Sequence, residues 1–453
     1  MIKLPKYKGR IGVFGLGKTG LSVVRALLAA GNHVIAWDDN IAQQKHAQAL
    51  GADIKNFTDD LDGIDTVILS PGIALTHPAP HPVVVSAQAA GVPIESDMDL
   101  LADALKDKAA SVVAITGTNG KSTTTALTTH ILRESGYEAQ IGGNIGVPAL
   151  DMTLDEDAKT IFVLELSSYQ IDLLQRLDVT VAALTNISPD HLDRHGSMER
   201  YISAKVRLFD FVTENGLVLV GVDGAVERGL LANIKAPVKS IATSEQAADI
   251  KLIDGCLVVD HEVFDLTNLP ALAGRHNAQN AGIAIGVALY FGASADRIRH
   301  ALTTFPGLEH RMQIIGQKDH VLFVNDSKAT NADAAGHALR AFKNIYWIAG
   351  GRPKASGLAG LEQDMSEVKQ AYLIGEAQDA FSDFLSSLGV KCEICHTLEN
   401  AVKAAHRDAA MNAQSATLLL SPACASFDQY PNFEARGQAF ADCAKQIIAE
   451  AAL

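Results

Sequence analysis

Short apolar runs bounded by turn residues recur along this chain, and each is followed by a stretch whose apolar residues return at helical spacing. Residues 11–14 read as a buried strand, 21–30 as a helix stopped by Gly31, 34–37 as the next strand, and 66–69 as another ahead of Ser70-Pro71-Gly72. Residues 97–105 predict a charged helical connector. It leads into the apolar run Val112-Val113-Ala114-Ile115, a Gly-rich turn and a Thr-rich, helix-like stretch through Leu132. Residues 161–166 and 179–184 predict further buried strands, with polar clusters directly after each, where ligands sit in parallel sheets. Beyond Phe305-Pro306-Gly307, strands at 321–324, 345–348, 371–374 and 417–420 alternate with helical stretches. The alternation predicts an α/β protein with mainly parallel sheets; no repeat or low-complexity tract points to a solenoid or propeller.

Length changes this picture by requiring division: 453 residues exceed one ordinary core and fit about three domains, drawn at 1–100, 101–306 and 307–453. The net charge of −14 argues against general attraction to nucleic acid or an anionic membrane, so anionic ligands must be held by local N–H groups and single cations. No apolar run approaches a membrane span and Met1-Ile2-Lys3-Leu4-Pro5 lacks a signal-peptide core, so a cytoplasmic enzyme without membrane insertion is expected. The five cysteines fit reduced thiols. Cys392-Glu393-Ile394-Cys395-His396 matches the c-type haem attachment pattern, but its alternation reads as a strand.

Two glycine-rich turns carry the candidate chemistry. Ile115-Thr116-Gly117-Thr118-Asn119-Gly120-Lys121-Ser122 follows a strand and opens a helix. Its glycines let backbone N–H groups surround a polyphosphate, Lys121 reaches the outer phosphates, and the Ser122 hydroxyl suits a Mg2+ shell. Ile115 stands where the usual pattern has its first Gly. Gly15-Leu16-Gly17-Lys18-Thr19-Gly20, with Asp38 after the next strand, satisfies GxGxxG. That geometry fits NAD or any other nucleotide diphosphate. Glu165 and His191, in the polar clusters after two strands, are candidate Mg2+ ligands; the bland alternatives are a helix-capping acid and a loop-stabilising His.

The variant TGTNGKST resembles the ATP loop of the Mur ligase and folylpolyglutamate synthetase superfamily, and the order of motifs resembles the Mur ligases over almost the whole chain. The resemblance implies three domains: an N-terminal Rossmann-like domain holding UDP rather than NAD, a central P-loop ATPase-like domain, and a C-terminal Rossmann-like domain. It implies ATP contacts at Gly117, Thr118, Asn119, Gly120, Lys121, Ser122, Thr123, Asn277, Asn280, Arg311, Asp326 and Lys328. Two Mg2+ ions are implied at Ser122, Glu165, His191 and Lys205, the last as a carbamate. Lys121, His191 and Lys205 carry the catalytic expectation, His191 either at metal or neutralising the tetrahedral intermediate. The UDP substrate is expected at Gly15, Leu16, Gly17, Lys18, Thr19, Asp38, Ser70, Asn144 and His191.

Substrate choice rests on the last third. Asn325-Asp326-Ser327-Lys328-Ala329-Thr330-Asn331, Gly350-Gly351-Arg352-Pro353-Lys354-Ala355-Ser356 and Ser421-Pro422-Ala423-Cys424-Ala425-Ser426-Phe427-Asp428 resemble those Mur ligases that add D-glutamate to UDP-N-acetylmuramoyl-L-alanine. The likeness assigns D-glutamate to Thr330, Lys354, Ser426 and Phe433, in an enzyme expected to act as a monomer. One departure is Asp38-Asp39-Asn40, where relatives often carry Asp-Thr-Arg. A cationic contact to uridine is therefore missing, with Lys18 as the nearby charge. The rival readings are another amide ligase of the superfamily, including a folylpolyglutamate synthetase, an NAD dehydrogenase, and a nucleotide-regulated binding module.

Overall fold

The computed structural model describes residues 2–155, 159–354, 357–412 and 414–449. It contains three sheets, each following the alternation of apolar runs. The first sheet consists of β1 (Arg10–Phe14), β2 (His33–Trp37), β3 (Asp53–Ile54), β4 (Thr66–Leu69) and β5 (Ile94–Glu95), parallel throughout in the order β3-β2-β1-β4-β5. Because β1 lies between β2 and β4, the order reverses there and a crevice opens at the carboxyl ends of β1 and β4.

The second sheet runs from β6 (Ala110–Thr116) through β7 (Glu138–Gly143), β8 (Thr160–Glu165), β9 (Val179–Leu184), β10 (Val212–Gly221), β11 (Val238–Ala242), β12 (Ile250–Ile253) and β13 (Cys256–Val259) to β14 (Glu262–Asp265). Its order is β14-β13-β12-β11-β10-β9-β6-β8-β7. The strands are parallel except the β12-β13-β14 meander. Here β6 is the switch strand, so the turn at its carboxyl end stands beside those of β8 and β9.

One compact unit holds both sheets and comprises residues 1–268 and 277–305. One apolar core spans both sheets, from Ile2, Leu4, Val23 and Leu27 through Leu101 to Leu150, Phe162 and Leu184, and a second, around Phe14, Phe57 and Val84, packs on the first sheet. The helix Asp97–Leu105, placed by sequence as a connector, has Ser96 and Asp99 exchanging a capping box and buries Met98, Leu100 and Leu101. Arg176 pairs with Glu95 and Asp103 beside it, both at 2.9 Å.

The second unit comprises residues 269–276 and 306–453. Its sheet contains β15 (Gln313–Lys318), β16 (Val321–Asn325), β17 (Ile345–Gly350), β18 (Val368–Ile374), β19 (Cys392–His396) and β20 (Ala416–Leu420), in the order β15-β16-β20-β17-β18-β19. Only β15 is antiparallel. Cys392 and Cys395 lie on opposite faces of β19, in contact with two different cores, which suits packing and not haem attachment. Among the described residues no helix is long and apolar enough to cross a membrane.

Candidate active site

At the first switch point, the Gly15 N–H donates to the Trp37 carbonyl (2.9 Å) and the Ser70 hydroxyl donates to the Gly15 carbonyl (2.6 Å). The helix Lys18–Ala29 starts after Gly17 with no side-chain cap and no acid in its first turn. Its first amides therefore remain available to an anion. Leu16, Thr19 and Gly17 complete the turn, and Lys18 is exposed on it. The Asp38 carboxylate accepts from the backbone N–H groups of Leu16 (2.5 Å) and Asn40 (2.8 Å). Asp38 thus braces the turn. The Asn40 side chain caps the helix Ile41–Leu50 through the Ala42 N–H (2.9 Å), so the asparagine has its own local work here.

The second turn is built from three strand ends. The register pairs Ile115 with Glu165, Thr116 with Leu184, and Gly143 with Glu165, which gathers the Gly117 turn, Glu165, Asn144 and Thr185 on one edge. The Thr118 N–H donates to the Asn186 carbonyl (2.8 Å), the Asn119 N–H to Asn186 Oδ1 (2.9 Å), and the Thr185 hydroxyl to the Asn119 carbonyl (2.6 Å). Gly117 has φ +147°, and a Cβ there would collide with the Thr185 hydroxyl, so only glycine fits. Lys121 Nζ donates to the Gly117 and Thr118 carbonyls (2.9 and 2.7 Å), folding the ammonium back over its own loop. Ser122 and Thr123 are buried at the start of the helix Lys121–Glu134. Asn280 sits behind the loop: its Oδ1 accepts from the Thr124 hydroxyl (3.1 Å) and its amide donates to Asn277 Oδ1 (3.1 Å).

Lys205 lies beneath this loop, on the helix Met198–Val206, one turn after Tyr201 and on the same face. It is 2% exposed. Its Nζ donates to the Gly117 carbonyl (2.7 Å) and stands 4.6 Å from the centre of the Tyr201 ring. Burial, then the nearby Lys121 ammonium, hold its pKa well below the ordinary lysine range, against the pull of Asp190 and Glu165.

Glu165 Oε1 accepts from the Asn144 side-chain amide (2.7 Å), whereas Oε2 is buried with no hydrogen-bond partner among the described residues. A buried carboxylate oxygen left bare is costly unless a cation or donor reaches it. His191, at the start of the helix Leu192–His195, adopts φ +53°. Its Nδ1 is 2.9 Å from the Tyr169 hydroxyl and its Nε2 is 3.5 Å from Asp190 Oδ2. Among the described residues no cluster of three or more His, Cys, Asp or Glu side chains is poised for a metal. A hard cation here fits Glu165 and the Ser122 hydroxyl only with further oxygens from a bound polyphosphate, as Mg2+ ordinarily takes them.

In the second unit, adjacent strands bring the three C-terminal strings to one edge. Asn325 of β16 pairs with Leu420 of β20, which pairs with Ile348 of β17. Asp326 accepts from the Ser421 hydroxyl (2.7 Å) and the Met312 N–H (3.2 Å), and burial pushes its carboxyl up to about 7. Arg311, in the turn before β15, acts electrostatically on Asp326 and His276. Lys328 Nζ stands 3.8 Å from the centre of the Phe433 ring. Thr330 is half-buried just before the helix Ala332–Ala341, which Asn331 caps. Arg352 and Ala425 exchange backbone hydrogen bonds (2.9 and 3.1 Å), joining the Lys354 turn to the segment of Ser426. Ala355 and Ser356 lie outside the described residues.

Sequence reasoning missed the group that ties these strings together. Arg436 is 1% exposed; its guanidinium donates to the Ser327 hydroxyl (3.0 Å) and to the carbonyls of Ser327 and Cys424 (both 2.9 Å). Burial lowers its pKa to about 10. The one available signal was an arginine inside the otherwise small and apolar helical register of Ala435-Arg436-Gly437-Gln438-Ala439-Phe440. Cys424 is fully buried, and burial pushes its thiol up to about 12, as suits a packing residue.

Three family models match in succession: the Mur ligase MurD-like N-terminal domain over residues 9–96, the Mur ligase middle domain over 115–288, and the Mur ligase glutamate ligase domain over 310–424. The UDP-N-acetylmuramoylalanine–D-glutamate ligase of Nitrobacter hamburgensis is 44% identical, over 99% of this chain and 98% of that protein. The same-named ligase of Rhizobium etli is 46% identical over 97% of this chain and 96% of its own. The crystal structure of the Thermotoga maritima UDP-N-acetylmuramate–alanine ligase shares the fold, with a TM-score of 0.61 at 18% identity over 97% of this chain and all of that one. With two glycine-rich turns at two switch points and a near-full-length likeness at this identity, the chain belongs to the Mur ligase family.

Proposed function

We infer that this chain is an ATP-dependent ligase that joins D-glutamate to UDP-N-acetylmuramoyl-L-alanine through an acyl phosphate, in cytoplasmic synthesis of the peptidoglycan precursor. The observation that carries the reading is the near-full-length similarity to D-glutamate ligases, which extends through the C-terminal region and is not confined to the ATP loop. In this reading residues 1–100 hold the UDP substrate, 101–306 hold ATP, and 307–453 hold the amino acid, all within a single monomer.

The L-alanine carboxylate attacks the γ-phosphorus of ATP, breaking the β–γ anhydride and releasing ADP to leave the acyl phosphate; the neutral D-glutamate amine then attacks the acyl carbon, loses a proton, and phosphate leaves from the tetrahedral intermediate. Amides from Gly117 to Ser122 cradle the phosphates, and Lys121 exchanges its two loop carbonyls for phosphate oxygens. Ser122, Glu165 and His191 would hold Mg2+, with a carbamylated Lys205 as a further anionic oxygen donor, and the ion would supply charge neutralisation to the phosphates. The family resemblance assigns nucleotide contacts to Asn277 and Asn280 in the first unit and, separately, to Arg311, Asp326 and Lys328 in the second. Gly15, Gly17, Lys18, Thr19, Asp38, Ser70 and Asn144 seat the UDP substrate, and Thr330, Lys354, Ser426 and Phe433 hold the two carboxylates of D-glutamate. The protein's contribution is orientation and charge neutralisation, with no covalent nucleophile.

Phosphate release with the UDP precursor and a panel of amino acids tests this reading. Release is expected with D-glutamate, and more slowly by ~10- to 100-fold with L-glutamate or D-aspartate, because each misplaces a carboxylate. Equal or faster turnover with L-lysine or meso-diaminopimelate overturns the substrate while leaving the ligase class intact. Lys354→Ala is expected to raise the KM for D-glutamate by about tenfold or more while barely changing that for ATP.

Nucleotide choice at the first turn is a separate prediction. Calorimetric titration is expected to show saturable binding of the UDP precursor and none of NAD; the reverse result refutes it.

A further inference from the structure

Arg194 is 8% exposed, yet its guanidinium spends its donors on backbone carbonyls. Nη2 donates to the Ile73 carbonyl (3.0 Å), Nη1 reaches the His77 carbonyl at 3.5 Å, and Nε is buried with no partner among the described residues. Both carbonyls belong to the loop after β4. That loop begins at Ser70, whose carbonyl accepts from the Ile73 N–H (3.0 Å) and whose hydroxyl closes the Gly15 turn. His77 packs against Gly196 so closely that a Cβ there would lie 3.0 Å from the imidazole. The loop of the first sheet is therefore clamped onto the helix that starts at His191.

The same guanidinium stands 5.2 Å from the centre of the Tyr169 ring. Tyr169 in turn meets His191 twice, through its hydroxyl at Nδ1 (2.9 Å) and through an edge-on ring contact with centroids 5.1 Å apart. One contiguous chain of contacts thus runs from Ser70 and Ile73 through Arg194 and Tyr169 to His191. Neither middle residue has a part in the chemistry described above. A hydrogen bond to one ring nitrogen fixes the orientation of an imidazole and leaves the other nitrogen directed at its task. The planar fork of an arginine can hold two carbonyls and an aromatic face at once, which a lysine cannot.

We propose that Arg194 and Tyr169 are positioning residues that couple the Ser70 loop to His191, so that seating the UDP-linked substrate on that loop sets the imidazole for acyl transfer. The inference rests on the ligase reading above. A displacement of about 1 Å at a reacting group costs on the order of a hundredfold in rate, so small adjustments of this chain suffice.

The full-length Arg194→Lys, Tyr169→Phe and double variants test the coupling. Phosphate release is measured with each substrate varied in turn, and binding of the UDP precursor alone is measured by calorimetry. Arg194→Lys is expected to raise both KM and Kd for the precursor by about tenfold while leaving the KM for ATP within roughly twofold. Tyr169→Phe keeps the ring and loses only the hydroxyl, and is expected to lower kcat by about tenfold with the precursor Kd within roughly twofold. In the double variant the losses in kcat/KM are expected to fall short of the product of the single losses. A purely structural rivet would instead lower the melting temperature and weaken ATP and precursor alike. That pattern, an unchanged kcat in Tyr169→Phe, or additive losses overturns the coupling. Failure of the parent protein to release phosphate with precursor and D-glutamate overturns the ligase reading and the coupling with it, whereas an active parent with additive variants removes the coupling alone.

Discussion

Lys205→Ala is expected to lower turnover by on the order of 10²- to 10³-fold, and formate or acetate to restore part of the loss. An ammonium fixed under the Gly117 carbonyl, beside the Lys121 ammonium and away from water, is the wrong charge for a site that gathers cations around phosphate. Its environment answers this by favouring the neutral amine. Only the neutral amine adds CO2, losing a proton and becoming a carbamate, so the depressed pKa favours the modification. A carbamate would replace the positive head by one negative charge shared over two oxygens, which a small free carboxylate would mimic in the space left by alanine. Rates of the variant with and without formate, together with a 13C signal from labelled bicarbonate on the parent protein, make the check. Full activity in Lys205→Ala removes the role, and a parent without the carbamate signal removes the modification.

Arg436→Met is expected to destabilise the C-terminal unit by ~3 kcal/mol or more. The guanidinium holds two segments to the C-terminal helix, and its loss leaves the Ser327 and Cys424 carbonyls buried and unpaired. No carboxylate partner would be stranded, so the effect reports the loss of these neutral contacts, including those to the Ser327 hydroxyl and the Ala425 carbonyl. The chain has two tryptophans, and Trp347 is fully buried in the third sheet. In a Trp37→Phe background, urea titration followed by Trp347 fluorescence reports on this unit. A midpoint within error of the parent refutes the bracing role. Activity should fall with the lost alignment of Asp326 and Ser426, even at urea concentrations where the unit remains folded.

Sequence marked strands and turns where chain-local rules decide them. The strands ending at Phe14, Leu69, Glu165 and Leu184 were legible because each is a short apolar run closed by a polar turn. The glycine-rich turns were legible because few residue types allow their backbone. Less legible were the strands β12, β13 and β14, where half-exposed residues such as Ile253 and Val263 alternate too weakly, joined by turns at Asp254-Gly255 and Asp260. The segment Gly274-Arg275-His276-Asn277-Ala278-Gln279-Asn280 reads as one string, yet its first three residues pack with the second compact unit and its last four with the first. Roles that depend on distant partners left little trace in the chain, at most a lone arginine in a helix of mostly small residues. Arg194, Tyr169 and Arg436 acquire meaning only when strand order brings their partners to them, and the pairing of Asp38 with the Leu16 amide is visible only in three dimensions.

The apolar core common to the first two sheets has a consequence for exchanging parts among relatives. Ile2 and Leu4 lie in the same core as Leu150, the Ile2 N–H donates to the Leu150 carbonyl (3.0 Å), and Arg25 pairs with Asp151 (2.7 Å). A chimera spliced near residue 100 would carry half of a foreign core and one side of each of these contacts, so the part before residue 100 cannot be grafted like a detachable cassette. New preferences for the nucleotide-linked substrate are more readily reached through the loops at the strand ends, whose side chains can change while the joint beneath them stays shut.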